Sequence, residues 1–136
     1  MKITNPTEIV NLLNGLQTKK RENFGVICLD SAHNLITKKV LYVGTCNRSL
    51  VSTREILYYA LKKDSCAIIV FHNHPSGDTY PSEVDVKTTK ALKDACDVIG
   101  IQLLDHVIVG KWNYYSFLEN NLVIKSSEEK LCKVSE

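Results

Sequence analysis

CAIIVFHNHPSGDTYPSEVD, residues 66–85, is the stretch that decides the fold of this 136-residue chain. It opens with an apolar run typical of a buried strand and continues into two histidines. Side chains alternate along a strand, so we expect His72 and His74 on one face and Asn73 on the other, where it can hydrogen-bond the neighbouring loop. Pro75 disfavours helical geometry at His74 and thereby helps to keep the second imidazole in the extended arrangement.

A metal site is the hypothesis that this stretch suggests. Residues 81–85 have the pattern of a first helical turn, from which the carboxylate of Asp85 can return to the two imidazoles. Two neutral imidazoles and one carboxylate leave a tetrahedral zinc ion one open position, as hydrolysis requires. The competing interpretation is structural, because a single histidine at a strand end more often makes a hydrogen bond within the fold. Ser82 and Asp85 also form an ordinary helix start, and both interpretations can hold at once.

A hydrolytic site also needs a group that takes a proton from water, and two upstream carboxylates are candidates. Glu55 is accounted for by a capping box with Ser52, whereas Glu22 has no capping role. An exposed glutamate at a strand end is the competing interpretation of Glu22. Of the remaining histidines, we expect His33 on the surface of a hairpin turn, and His106 in a strand, making a structural hydrogen bond.

Charge is balanced along the chain, with 17 basic and 15 acidic residues and a formal net charge of +2. A nucleic-acid-binding domain normally carries a pronounced basic patch, and only residues 19–21 and 38–39 form modest ones. We therefore expect those lysines and arginine to be solvated surface, and association with nucleic acid stays open.

The cellular compartment of the protein is predicted from sequence signals that the chain lacks. We find no secretory signal and no apolar stretch of membrane-spanning length, and therefore predict no membrane association. The five cysteines are odd in number and scattered, without a Cys-x-x-Cys pair, which predicts reduced thiols and a cytoplasmic protein. Cys28 and Cys66 lie in apolar runs, where a cysteine is expected to pack as a small hydrophobic residue.

The pattern along the chain predicts one α/β domain over residues 1–124, followed by a polar tail over residues 125–136. We expect a central sheet with a helix on each side of the strand that carries the histidines. Predicted helices cover about 5–16, 52–62 and 82–99, and predicted strands 24–29, 35–43, 66–72 and 101–109. The third helix is expected to end at Gly100 and to bury an apolar stripe consisting of Val84, Thr88, Ala91, Leu92, Ala95 and Ile99.

At its central motif the chain resembles the RadC-like branch of the JAMM (MPN-type) zinc metalloprotease family. The family pattern is His-x-His-Pro-x-Gly followed by Pro-Ser-x-x-Asp, and residues 72–77 and 81–85 match it. The resemblance continues through most of the chain, including residues 53–55 and 104–106.

The resemblance implies a role for each candidate residue. His72, His74 and Asp85 would be the zinc ligands, Ser82 the serine that stabilises an oxyanion, and Glu22 the catalytic glutamate. The implied JAMM/MPN fold is a mixed β-sheet flanked by helices, similar in architecture to the cytidine deaminases. Those enzymes bind zinc through His-x-Glu and Pro-Cys-x-x-Cys motifs, which this chain lacks, so deamination is disfavoured. RadC-like proteins usually carry an N-terminal helix-hairpin-helix region, and we expect this chain to be a short form without it.

These observations favour a zinc-dependent metallopeptidase or isopeptidase that uses a zinc-activated water on a peptide or protein substrate. The alternative is a non-catalytic interaction module associated with DNA repair or mobile-element processes. A nuclease is a weaker hypothesis, because two-metal nucleases need several clustered carboxylates and only Asp85 is evident near the histidines. The sequence carries no signal for a specific substrate or oligomeric state.

Overall fold

The structure, a computed structural model, describes residues 1–44 and 52–125. Its helices are α1 (Pro6–Leu12), α2 (Thr53–Lys62) and α3 (Glu83–Ile99), with a short 3-10 turn at Leu16–Thr18. Its strands are β1 (Glu22–Leu29), β2 (Leu35–Gly44), β3 (Ala67–Asn73), β4 (Gln102–Val109) and β5 (Tyr114–Ser116). The described part of the chain is therefore an α/β domain, as predicted.

The strands form one mixed sheet in the order β2-β1-β3-β4-β5. β1 pairs antiparallel with both β2 and β3, whereas β3 and β4 are parallel and are connected by α3. Every residue of β1 and β3 is buried. Both strands lie inside the sheet and are covered on both faces, which explains why the run before His72 is continuously apolar rather than alternating.

The core has one cluster on each face of the sheet. On one face, α2 and α3 pack against alternate residues of β1 and β3, among them Val26, Cys28, Ile68 and Val70. On the other face, α1 packs against the intervening residues, among them Ile27, Ile69 and Phe71. Burying each such aliphatic side chain contributes about 1.5–3 kcal/mol. The alternation places His72 on the face that carries α2 and α3.

Most predicted elements are confirmed, with differences at their ends. Asn5 caps α1 by accepting a hydrogen bond from the amide of Glu8 at 3.0 Å, but the helix ends at Leu12. Gly15, at a φ of +97°, turns the chain into the separate 3-10 turn. The predicted hairpin of β1 and β2 is present, and α3 ends at Gly100 with a φ of +81°.

Two packing predictions were wrong in part. Leu92 of the predicted α3 stripe is buried, but the other buried residues of α3 are Asp85, Thr89 and Cys96, while Val84, Ala91 and Ile99 are exposed. Cys66 is exposed because it precedes β3 instead of lying within it, although Cys28 is buried as expected.

Two further expectations concern the chain end and membranes. The predicted tail lies outside the described residues apart from Lys125. Among the helices that the structure describes, none is both long and apolar enough to cross a membrane.

Candidate metal centre

Two imidazoles meet at the end of β3. His72 is fully buried, the His74 side chain is 10% exposed, and their Nε2 atoms are 2.9 Å apart. The amide of His74 donates to the carbonyl oxygen of Val109 at 3.0 Å, which extends the pairing with β4 beyond the last residue of β3. The predicted placement of the two histidines on one face is therefore confirmed.

The N-terminus of α3 brings a carboxylate to this pair. Ser82 caps the helix by accepting from the amide of Asp85 at 3.1 Å, and its own amide donates to Asp85 Oδ2 at 2.9 Å. Asp85 is 1% exposed, and its Oδ1 and Oδ2 atoms lie 3.3 Å from the Nε2 atoms of His72 and His74, respectively. One carboxylate thus serves both as part of the helix cap and as the neighbour of both imidazoles.

Glu22 reaches the same place from β1. Phe24 is the register partner of His72, so Glu22, two residues earlier on the same face of β1, lies toward His74. Its Oε1 atom is 3.8 Å from His72 Nε2, and ligand atoms of Glu22, His72 and His74 all lie within 4.8 Å of one another. Glu22 is only 6% exposed, so the interpretation as an exposed strand-end residue was wrong. The signal in the sequence is its alternate spacing with the apolar residues that follow it.

The position of Glu22 is fixed from both sides by Asn73. The Asn73 Oδ1 atom accepts from the amide of Asn23 at 2.6 Å, and its Nδ2 donates to the carbonyl oxygen of Arg21 at 3.0 Å. A longer contact of 3.4 Å joins Nδ2 to the carbonyl oxygen of Lys19. The expected hydrogen bonding of Asn73 to the loop is confirmed, and it holds the backbone on either side of Glu22.

Burial sets the charge state of the site. Removal from water lowers the pKa of His72, so its imidazole is neutral near neutral pH. Burial by itself raises the pKa of Asp85, but contacts with the His72 and His74 rings outweigh it and hold that pKa well below its usual range. The site therefore combines neutral imidazole with ionised carboxylate.

The donor set matches the chemistry of a divalent metal. His74 Nδ1 lies 2.7 Å from the carbonyl oxygen of Asp78, which can only accept, so Nδ1 carries a proton and Nε2 is the ring nitrogen that can bind a metal. Ligands of a tetrahedral zinc ion lie roughly 3.3 Å apart, from zinc–ligand bonds of about 2.0–2.1 Å. The Nε2 atoms of His72 and His74 are 2.9 Å apart, and they lie 3.3 Å from Oδ1 and Oδ2 of Asp85, respectively. A buried group containing Glu22, His72 and His74 can thus hold a metal ion, and Asp85 adjoins it.

Glu55 and His106 lie where their structural interpretations placed them, whereas His33 lies in the expected turn but is less exposed than expected. Glu55 is exposed at the start of α2, and its amide donates to the cap Ser52 at 3.1 Å. His33 lies in the turn between β1 and β2 with a φ of +65° and is half-buried. His106 is buried in β4, and its Nε2 lies 2.8 Å from His72 Nδ1, so the predicted structural hydrogen bond is present.

Comparison with known proteins gives a consistent result. A family model described as RadC-like JAB domain matches residues 3–122. A UPF0758 protein of Streptococcus uberis is 46% identical over 110 residues, which cover 81% of this chain and 49% of the relative. A UPF0758 protein of Actinobacillus pleuropneumoniae serotype 5b is 49% identical over 104 residues, which cover 76% of this chain and 47% of the relative. A UPF0758 protein of Streptococcus agalactiae serotype Ia is 46% identical over 104 residues, which cover 76% of this chain and 46% of the relative. The chain spans about half the length of these curated relatives.

Proposed function

Because the chain belongs to the RadC-like JAB domain family, we propose that it is a zinc-dependent hydrolase that cleaves peptide or isopeptide bonds. The observation that carries the proposal is the convergence of a strand end, a helix N-terminus and a second strand on one buried group of nitrogen and oxygen donors. Polar side chains are seldom buried together unless they are paired or coordinate a metal. A JAMM-type fold presents this group where β1 begins and β3 ends.

His72, His74 and Asp85 are the proposed zinc ligands. Each Nε2 atom lies 3.3 Å from one of the two carboxylate oxygens of Asp85, so the carboxylate adjoins both imidazoles and can supply the third ligand. Glu22 Oε1 is farther from His72 Nε2, at 3.8 Å, and we assign it to the reacting water. Three protein ligands leave a fourth position for water or substrate, which distinguishes a catalytic zinc site from a structural one.

The mechanism divides the chemistry between the ion and the side chains. When bound, zinc would act as a Lewis acid that polarises the scissile carbonyl and would lower the pKa of a bound water to about 7. Glu22 takes the proton of the attacking water and delivers it to the leaving amine. Ser82, whose Oγ is held by the amide of Asp85 at 3.1 Å, donates its hydroxyl hydrogen to the developing oxyanion.

Zinc content tests the metal assignment. Purified protein is expected to hold about one zinc per chain, as measured by elemental analysis after dialysis, and His74→Ala is expected to lose it without unfolding. His33→Asn is the matched control, since it removes a histidine distant from the site and asparagine tolerates the positive φ at that position. Wild-type protein that stays metal-free after incubation with zinc would contradict the assignment.

Catalysis is tested by comparing two glutamate variants. Glu22→Gln is expected to retain zinc and to lose about 100-fold or more of the hydrolysis measured with fluorogenic peptides and a lysine-isopeptide substrate. Glu55→Gln is the control, because its exposed side chain is at the start of α2 and glutamine also suits that position. Equal hydrolysis by wild type and Glu22→Gln would remove the catalytic role of Glu22, whereas zinc-loaded wild type that cleaves neither substrate would leave a metal-stabilised interaction module.

A further inference from the structure

A line of buried hydrogen bonds runs from the back of the His72 ring away from the candidate metal centre. His72 Nδ1 lies 2.8 Å from His106 Nε2, and His106 Nδ1 lies 2.5 Å from Thr89 Oγ1. Thr89 Oγ1 in turn lies 2.7 Å from the backbone carbonyl oxygen of Asp85. The line therefore starts at one proposed ligand and ends on the main chain of another.

The last atom of this line determines the direction of every bond in it. A carbonyl oxygen only accepts, so the Thr89 hydroxyl donates to Asp85 and its oxygen accepts from His106 Nδ1. A neutral His106 that carries its proton on Nδ1 has a lone pair on Nε2, which accepts from His72 Nδ1. The His72 proton is then on Nδ1, and the Nε2 lone pair faces His74 and Asp85.

We propose that His106 and Thr89 are positioning residues that hold the proton of His72 on Nδ1 and so present its Nε2 lone pair to the metal. This inference rests on the proposed metal site but adds two residues that do not contact the ion. His74 obtains the same orientation more simply, from the carbonyl oxygen of Asp78. His72 lies deeper, where β4 and α3 supply the partners instead of a loop.

Burial limits the hydrogen-bond partners that His72, His106 and Thr89 can have. His72, Thr89 and His106 are each at most 1% exposed, so bulk water does not offer alternative partners. Phe24 stacks on the His72 ring with centroids 5.8 Å apart, and Phe117 stacks on His106 at 4.6 Å with an interplanar angle of 9°. Both rings are thus held in orientation, and the other tautomers would direct the Thr89 hydroxyl to His106 Nδ1 and leave the Asp85 carbonyl oxygen without this donor.

Thr89 offers a nearly isosteric test. Thr89→Val removes the hydroxyl that accepts from His106, so the His106 proton can move to Nε2 and displace the His72 proton onto the metal-binding nitrogen. Partners of this kind typically contribute 10- to 100-fold in metal affinity, and we expect a loss of about 10-fold or more in zinc affinity, measured by competition with a chelator. Thr89→Ser keeps the hydroxyl and is expected to bind zinc within about threefold of wild type.

Two substitutions of His106 form a second test, because the side-chain amide of each replaces a different ring nitrogen. A glutamine amide reaches the position of Nε2, so His106→Gln keeps an acceptor for His72. An asparagine amide reaches only the position of Nδ1, so His106→Asn loses it. We expect His106→Asn to weaken zinc binding about 10- to 100-fold and to alter the visible absorption of the cobalt-substituted protein, with His106→Gln restoring both.

Nuclear magnetic resonance of metal-free wild-type protein tests the inference without zinc or activity. Long-range proton–nitrogen correlations of labelled histidine are expected to show the His72 proton on Nδ1. A proton on Nε2, or Thr89→Val binding zinc as tightly as wild type, would overturn the inference even in a protein that hydrolyses peptides. Protein with the expected tautomer that cleaves no peptide would instead contradict the proposed function and leave this inference standing.

Discussion

The Asp105→Asn substitution tests whether burial or hydrogen bonding has the larger effect on the pKa of the Asp105 carboxyl in β4. Asp105 is 1% exposed, and its Oδ1 atom accepts from the amides of His106 at 2.7 Å and Leu118 at 3.0 Å. Its Oδ2 atom accepts from the hydroxyl of Ser116 at 2.6 Å. Burial raises the pKa of Asp105 to about 6, although these hydrogen bonds lower it. The folded state therefore favours the neutral acid.

The sign and size of the effect follow from linkage. The pKa of Asp105 rises from 3.8 to about 6, a change of about 2 units that corresponds to roughly 3 kcal/mol. Stability due to the neutral acid is fully present below pH 3.8 and is lost as pH rises through about 6. Asparagine has no proton to lose. The free energy of unfolding of Asp105→Asn, relative to wild type, should rise by roughly 2–3 kcal/mol between about pH 4 and about pH 7.5.

Urea denaturation of the metal-free proteins across this pH range measures the difference directly. The metal-site groups titrate in both proteins and cancel in the comparison, provided that the urea dependence is unchanged. Asp94→Asn, which removes a carboxylate from an exposed position on α3, controls for the change in net charge. A difference that stays flat, or that falls as pH rises, would refute the reasoning and show that the hydrogen bonds dominate over burial.

Three further predictions address the support of the site. Asn73→Ala removes the side-chain amide that holds the backbone around Glu22, so it should lower the free energy of unfolding in urea by about 1–3 kcal/mol. Peptide hydrolysis should fall more than zinc affinity, and equal losses of both would contradict a specific role of Asn73 in positioning Glu22. Gly25→Ala should destabilise the fold by about 1–3 kcal/mol in thermal unfolding, because an added Cβ would collide with the carbonyl oxygen of Lys39 and the ring of Phe71; unchanged unfolding would contradict this. Free zinc at about 100 times its Kd should raise the free energy of unfolding by about 2.7 kcal/mol, and a chelator should reverse the gain, whereas His74→Ala should show neither change.

Part of the site could be predicted because its geometry is local. Alternation along a strand places His72 and His74 together, and the helix-start pattern places Asp85 in the first turn of α3. Only a short connection separates these elements, so few arrangements of the chain are compatible with the pattern. The hairpin of β1 and β2 was also predictable from the turn residues between two strands, whereas the mixed sheet was expected only from the resemblance to the JAMM family.

Spacing along the chain could not bring Glu22 or Thr89 to the site, because their positions depend on how distant segments pair, and Glu22 was assigned only through the resemblance. Glu22 reaches the site only because Phe24, and not a neighbour, is in register with His72. A shift by one residue would turn every side chain of β1 to the other face of the sheet. The position of Thr89 beside His106 depends in the same way on the rotation of α3 about its axis.

The rotation of α3 shows how the polar site and the core are related. Apolar spacing predicted a buried stripe through Val84 and Ile99, yet α3 buries Asp85 and Thr89 and leaves those two aliphatic residues exposed. Hydrophobic burial alone would favour the predicted rotation. The observed rotation buries Asp85 and Thr89, and both have partners: Asp85 contacts the imidazoles of His72 and His74, and Thr89 contacts His106 on β4. These partners offset the cost of burying the two polar side chains. In the observed orientation, α3 therefore combines these polar pairs with the packing of Leu92 and Cys96 in the hydrophobic core.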